Sequence, residues 1–481
     1  MRKMLRGLSV LTAFLLCSPG VQAQTPPAPA VYDKQTLETL PTIVSAAQRS
    51  AASYDMVAHL SDTIGPRISG SAQAAAAVAY VAQAMRDLGL RVRLEPVMVP
   101  HWVRGEEHAE LVDWPQHPSS LTQRIVLTAL GMSPATRASG VTLDVIVVHD
   151  FAQLHAQGAN VRGKIVLFDE HFNTALADAG EGGAYGAAGP YRFLGPNEAA
   201  KLGAAAALVR SLGGAEFRLP HTGVTFFEKG VTPIPAAAVA AEDADMIDRL
   251  ASRGAVRMHL TLTPKLLPDV ESANVIGDLP GSEHPEQIVI VSGHLDSWDL
   301  GRGAIDDGAG FAQAFGTVSV LQALHIRPRR TIRCIAWMTE EINGAGSAAY
   351  ARDEGAHAAQ HVAALESDLG ADHPLGIGTS LSVAGAPWLD PVAAALTEQG
   401  SPVTRYQDGS EADVERLARL GVPVFSVLQD SRHYFDYHHT SADTLDKIDP
   451  IQLAQNTAVM AALSYALADA KLPPPREPFN Q

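Results

Sequence analysis

Between Ser292 and Thr444, polar residues that can ligate metals or move protons stand directly after apolar runs. Ser292-Gly293-His294-Leu295-Asp296 closes the first run, and Asp306-Asp307-Gly308 lies in the turn beyond it. Thr339-Glu340-Glu341 follows the second run and Glu366-Ser367-Asp368 the third, while Tyr434, His438-His439-Thr440 and Asp443-Thr444 stand beyond the last. Imidazole and carboxylate donors without thiolate suit zinc or another first-row divalent ion at a catalytic site with an open position. One zinc takes roughly three protein ligands, so His, Asp, Glu, Asp and His with one bridging carboxylate suit two metals. Metals roughly 3.5–4 Å apart can polarise a carbonyl and activate a water together. That water still needs a base, and Glu340 adjoins the donor Glu341 while being surplus to the five.

Each residue taken alone has a plainer reading. Asp306-Asp307-Gly308 suits a helix N-terminus, where carboxylates meet the dipole. Glu340-Glu341 suits a solvated turn, Asp443 a loop, and Ser410 with Asp413 a capping pair at a helix start. His284, His357 and His373 read as surface histidines. The joint occurrence of the others at successive strand ends favours a site.

The elements that must position these residues follow from the pattern around them. Buried strands are expected at 287–292, 331–338, 361–365 and 422–428, alternating with helices at 307–324, 347–353, 391–399, 411–420 and 449–468. That alternation predicts an α/β fold, a mostly parallel mixed sheet flanked by helices, with its ligand crevice at the carboxyl edge. Upstream, 34–88 is helical around the turn Gly65-Pro66-Arg67, and 90–99 alternates as a strand. Residues 105–268 read as a smaller mixed α/β insertion with short β-like runs at 143–148, 164–168, 204–209 and 233–239 and a helix at 242–253. Within it the Gly- and Ala-rich stretch 173–190 reads as a long loop without structure of its own, mobile or functional. Three prolines at 473–475 are expected to carry the tail 471–481 off the globule.

The 481 residues are 46% hydrophobic and 18% charged, which predicts two or three domains. Lys+Arg 36 against Asp+Glu 52 gives a net charge of -16, so nucleic acid is excluded as a partner. Two cysteines exclude a disulfide framework and a cysteine-rich metal site. Arg2, Lys3 and Arg6 precede an apolar run over 8–17, and Val21-Gln22-Ala23 supplies small residues for cleavage. Residues 1–23 therefore read as a signal peptide cleaved near Ala23/Gln24, giving a secreted or periplasmic protein with no membrane span and Cys334 as its lone thiol.

His294-Leu295-Asp296, the Asp306-Asp307 pair twelve residues after His294, Glu340-Glu341, Glu366-Ser367-Asp368 and His439-Thr440 ahead of Asp443-Thr444 together resemble metallopeptidase family 28, the co-catalytic di-zinc exopeptidases. The wording of 293–299 and 303–308 is similar to its carboxypeptidase Q subgroup, over 34–468. The resemblance implies a peptidase domain in two parts, 24–104 and 269–470, split by a protease-associated domain at 105–268. It implies two zinc ions per chain: His294 and Asp368 on one, Glu341 and His439 on the other, Asp306 between them. Glu340 would be base and then acid, Asp296 would accept from the free ring nitrogen of His294, and Tyr434 would donate to the oxyanion. His439 is preferred over His438 because it directly precedes Thr440. The implied substrates are small peptides, dipeptides with free termini above all, and a homodimer is compatible with the subgroup. Two alternatives stand beside this reading: an aminopeptidase on longer peptides with the same metals, and a metal-free binding ectodomain on the same fold.

Overall fold

The central strands are buried on both faces, their charged residues Arg330 and Arg333 included. Arg330–Trp337 is buried at every position, and His284–His294 is exposed at its start and buried from Ile288 to its end. The computed structural model describes residues 30–178, 183–214, 217–382, 385–405 and 412–478; the expected export segment lies outside them. Among the described residues no helix is long and apolar enough to cross a membrane.

The main sheet has eight strands in the order Arg91–Val103, Lys265–Leu279, Arg330–Trp337, His284–His294, His361–Glu366, Val424–Gln429, Pro374–Thr379, Thr404–Arg405. Its centre is parallel: His284–His294 runs with Arg330–Trp337 and His361–Glu366, which in turn runs with Val424–Gln429. Helices Lys34–Gln48, Ala52–Ala58, Ala309–Ala323 and Pro450–Asp469 pack together beside it. Pro450–Asp469 is buried on nearly all sides from Leu453 to Ala468, as an apolar helix with no polar face must be. Asp449 caps it, accepting from the N–H of Ile451 at 2.7 Å, with proline in its first turn.

A second eight-stranded sheet uses only residues between Glu107 and Leu262, in the order Gln123–Ile125, Glu107–Asp113, Arg257–Leu262, Val141–Val148, Ile165–Phe168, Ala206–Arg210, Ala236–Val239, Leu127–Ala129. The chain enters and leaves it along an antiparallel ribbon of Arg91–Val103 and Lys265–Leu279. The strand Lys265–Leu279 escapes a periodicity reading because its first half is exposed on a two-stranded ribbon and holds Pro268 beside a register shift at Val99/His101.

Two expectations need correction. The stretch 173–190 is mostly helical, as Thr174–Asp178 and Gly183–Phe193, because burial of Ala184, Ala188 and Arg192 outweighs the poor propensity of its glycines. The tail lies against the globule, with the Arg476 guanidinium donating to the carbonyls of Gly421, Ala358 and His361. The expected capping pair of Ser410 with Asp413 falls partly outside the described residues; within them the N–H groups of Asp413 and Val414 donate to Glu366 Oε2 at 3.2 and 3.0 Å.

Arg67, in the turn after the first helices, has no exposed surface. Its guanidinium donates to five main-chain carbonyls: Leu295 (2.7 Å), Leu60 (3.3 Å), Gly65 (3.2 Å), Arg302 (2.9 Å) and Gly303 (2.7 Å). It thereby ties the N-terminal helices to both loops that flank His294 and Asp306. Arg67→Met should leave these carbonyls without donors and cost at least about 3 kcal/mol of stability, read from denaturant unfolding. A loss below about 1 kcal/mol would contradict that role.

Candidate metal centre

The site is built on the carboxyl ends of the four parallel strands. At Gly293 a Cβ would lie 2.3 Å from the main-chain nitrogen of Phe311 and 2.6 Å from Asp307 Oδ2, so glycine lets the helix Ala309–Ala323 start hard against the strand. Asp307 joins the two by accepting from the N–H of His294 (3.0 Å) and of Gly310 (2.9 Å). Asp443 accepts from the N–H groups of Ala304 (2.7 Å) and Ile305 (2.8 Å), fixing the turn just before Asp306. Asp307 and Asp443 thus hold main chain, and Asp306 is left to face the crevice. Two non-glycine residues sit in the left-handed region here: Thr339, with φ 67, immediately before Glu340-Glu341, and His439, with φ 60. Such strain persists only where surrounding bonds hold it. The Thr339 carbonyl takes the N–H groups of Asn343 (3.2 Å) and Gly344 (2.8 Å).

Asp306 is shared between two imidazoles. Its Oδ1 lies 3.1 Å from His294 Nε2 and its Oδ2 lies 3.1 Å from His439 Nε2. On the first side Asp368 Oδ1 is 3.4 Å from His294 Nε2; on the second Glu341 Oε2 is 2.9 Å from His439 Nε2. His294, Asp306 and Asp368 each offer one ligand atom within 4.8 Å of the others, and so do Asp306, His438 and His439. Buried carboxylate oxygens on Asp306 (Oδ2), Glu341 (Oε1) and Asp368 (Oδ1) have no hydrogen-bond donor, which is what lone pairs reserved for cations look like. His438 stacks on His439 with ring centroids 3.6 Å apart and its Nε2 lies 3.5 Å from Asp306 Oδ2. Its Nδ1 is buried without a partner, whereas the Nδ1 of His439 is anchored, so the geometry favours His439.

The anchors of both imidazoles are main-chain carbonyls, which can only accept, so each Nδ1 carries the proton and each Nε2 is free to ligate. His439 Nδ1 donates to the Thr222 carbonyl at 3.1 Å. His294 Nδ1 donates at 2.9 Å to the carbonyl of Asp296, while the Asp296 carboxylate stays 3.9 Å away. The expected role of that side chain is therefore corrected: it accepts instead from the N–H of Glu340 (3.1 Å) and from Ser69 Oγ (3.2 Å). The ring takes the nearer main-chain oxygen, and the carboxylate positions Glu340. Glu340 Oε2 stands 4.0 Å from His294 Nε2, beside the cluster and 22% exposed.

Charge is badly balanced here. Burial, and then Asp368, Glu341 and Asp413, hold the Glu340 carboxyl well above the ordinary range. Burial and Asp306 push Glu341 up to about 7, and burial pushes Asp413 to about 7. Burial opposes a charge on His439, but Glu341 and Asp306 outweigh it and raise the imidazole to about 9. Every one of these shifts expresses a shortage of cations. The thiol of Cys334 is buried in the core and pushed up by burial, so it takes no part.

A cavity of about 510 Å³ opens over the cluster, with Asp306, Glu340, Glu341, Asp368 and His439 in its floor. Tyr434 is in its wall, buried and with its hydroxyl pKa raised by burial and by Asp306. The helix Gly183–Phe193 supplies another wall, including Tyr185, Arg192 and Phe193. Arg192, Thr222 and Asp413 carry no spacing signal. The Ser297-Trp298-Asp299 wording holds loops: Ser297 Oγ accepts from the Arg67 N–H (3.0 Å), and Asp299 pairs with Arg104 (2.6 Å). Trp298 lies 5.7 Å from the His439 ring.

Residues 274–464 match peptidase family M28. Carboxypeptidase Q of Bos taurus is 38% identical over 427 residues, 88% of this chain and 87% of the relative, and that of Homo sapiens is 36% identical over the same shares. Among solved structures, the peptidase M28 precursor from Shewanella amazonensis SB2B covers 92% of this chain and 98% of its own at 36% identity, with a TM-score of 0.85. A zinc aminopeptidase from Bacillus subtilis has the same fold at 19% identity, with a TM-score of 0.63 over 87% of this chain and 97% of its own. With its strand-end cluster and these relatives along nearly its whole length, the chain belongs to peptidase family M28, in the group of carboxypeptidase Q.

Proposed function

We propose that this chain is an exported zinc exopeptidase that hydrolyses short peptides with free termini, dipeptides above all, with two zinc ions per chain. The observation that carries this reading is the Asp306 carboxylate, one oxygen turned to His294 and the other to His439. His294 and Asp368 would hold one ion, Glu341 and His439 the other, with Asp306 between. Bound there, zinc would polarise the scissile carbonyl and make a water nucleophilic at neutral pH. Glu340, positioned by Asp296, takes the proton from the attacking water and returns it to the leaving amine. Tyr434 donates from the wall to the developing oxyanion. The cavity volume is in the range of small-molecule sites, roughly 300–1,000 Å³, which supports a short substrate. Residues 105–268 are read as the protease-associated insertion that walls the cleft.

Asp306→Ala should lose most of the bound zinc, measured by elemental analysis. Glu340→Gln should keep both ions and lower kcat by roughly 10²- to 10⁴-fold. A Glu340→Gln protein at near wild-type rate, or an Asp306→Ala protein with two ions, would sink these roles.

Unblocked dipeptides should be cleaved faster than long peptides, and N-acylation should abolish cleavage; efficient turnover of blocked or long peptides would point to the aminopeptidase or another group. The mature protein should begin near Gln24, and an intact Met1 region in the mass spectrum of exported material would contradict signal cleavage.

A further inference from the structure

The second sheet has a polar carboxyl edge of its own, which the reaction does not use. Val141–Val148 runs out into His149 and Ile165–Phe168 into Asp169, while Asp245 and Asp248 stand on the helix Ala241–Ala251 that follows Ala236–Val239. These strands, with Ala206–Arg210 among them, are parallel, so their carboxyl ends gather such side chains as those of the main sheet do. His149, Asp169 and Asp248 each offer one ligand atom within 4.8 Å of the others, and so do Asp169, His171 and Asp245. Asp169, common to both groups, is 1% exposed. Its N–H donates to the Val148 carbonyl at 2.9 Å, which ties the two strand ends together.

Charge and geometry separate the two groups. Arg210 donates to Asp169 Oδ1 (3.0 Å), to Asp245 Oδ1 and to the Ala241 carbonyl (3.2 Å), so the group with His171 already holds its cation. The other group does not. His149 Nε2 and Asp248 Oδ1 stand 3.6 Å apart. That is beyond the roughly 2.7–3.2 Å of an N–H···O hydrogen bond. It is close to the edge of about 3.3 Å in a tetrahedron whose metal–ligand bonds are about 2.0–2.1 Å. His149 Nδ1 lies 3.1 Å from the Asp169 main-chain carbonyl, which can only accept. In the neutral ring the proton is therefore on Nδ1, and Nε2 turns a lone pair toward Asp248, two acceptors that a cation reconciles. Both imidazoles of the metal cavity are anchored in the same way, through Nδ1 on a main-chain carbonyl. With Arg210 on Oδ1, Asp169 keeps Oδ2 as the third donor.

We propose that His149, Asp169 and Asp248 form a metal site separate from the cavity. It takes zinc or a similar first-row divalent ion, with water completing the shell, and pins the helix Ala241–Ala251 to two strand ends of the second sheet. The test is equilibrium dialysis of the full chain against buffered free zinc, with bound zinc read by elemental analysis. At saturation the wild-type protein should hold one more ion per chain than His149→Ala or Asp248→Asn, and peptide turnover should be the same in all three. The difference of one ion should persist when each variant is compared in an Asp306→Ala background, where the cavity is depleted, so the count does not depend on how many ions the cavity takes. Asp248→Asn keeps the shape of a half-buried residue and carries the test if His149→Ala does not fold. His171→Ala should keep the ion, because Arg210 serves that group. Equal zinc in the wild-type protein and both variants would overturn the site and leave His149 and Asp248 an ordinary ion pair. Loss of the ion in His171→Ala would overturn this choice of ligands.

Discussion

The constraint on which this structure depends is the concentration of negative charge at one edge of a buried sheet. Asp296, Asp306, Asp307, Glu341, Asp413 and Asp443 are buried there, with Glu340 and Asp368 half-buried among them. Two like charges 4 Å apart repel by about 4 kcal/mol at an effective dielectric near 20, so such a group is tolerable only when each carboxylate has a defined partner. The chain resolves this by division of labour. Asp307, Asp443 and Asp296 are committed to main-chain N–H groups, while Asp306, Glu341 and Asp368 keep oxygens without donors. The first group shapes the loops and the second is left for cations.

The division also explains why two sheets are needed. The main sheet brings the ligands to one edge through its parallel strand ends, but it does not fix the ring of His439. That is done by Thr222, between strands of the second sheet. Arg104, bound to Asp299 and to the Ala129 carbonyl (2.8 Å), braces the same junction. The candidate metal centre is therefore an interface as much as a strand-end feature.

How much of this could be read from residues alone follows from the same physics. Ligands at strand ends interrupt long apolar runs, so His294, Glu341 and Asp368 stand out, and the parallel centre of the sheet follows from those runs. What stays hidden acts through main-chain atoms or comes from distant segments. The carbonyls of Thr222 and Asp296 leave no trace in residue type, and a glycine-rich stretch disguises the helix that carries Arg192. Asp296 shows the reason: a carboxylate two residues from a histidine suggests its partner, but the backbone oxygen of the same residue lies nearer.

Between Thr222 and His439 the connection runs both ways, since the Thr222 N–H also donates to the His439 carbonyl at 2.9 Å. It is a latch of peptide groups on the Thr222 side, and the Thr222 hydroxyl, which donates to the Ala129 carbonyl (2.9 Å) and accepts from Arg104 (3.2 Å), holds that peptide in place. Away from that junction the second sheet can change its side chains while the imidazole keeps its tautomer and aim. Proline at position 222 would in addition remove the N–H half of the latch. The aim of the candidate ligand His439 is thus protected by backbone path together with the buried residues Thr222 and Gly223 at the junction.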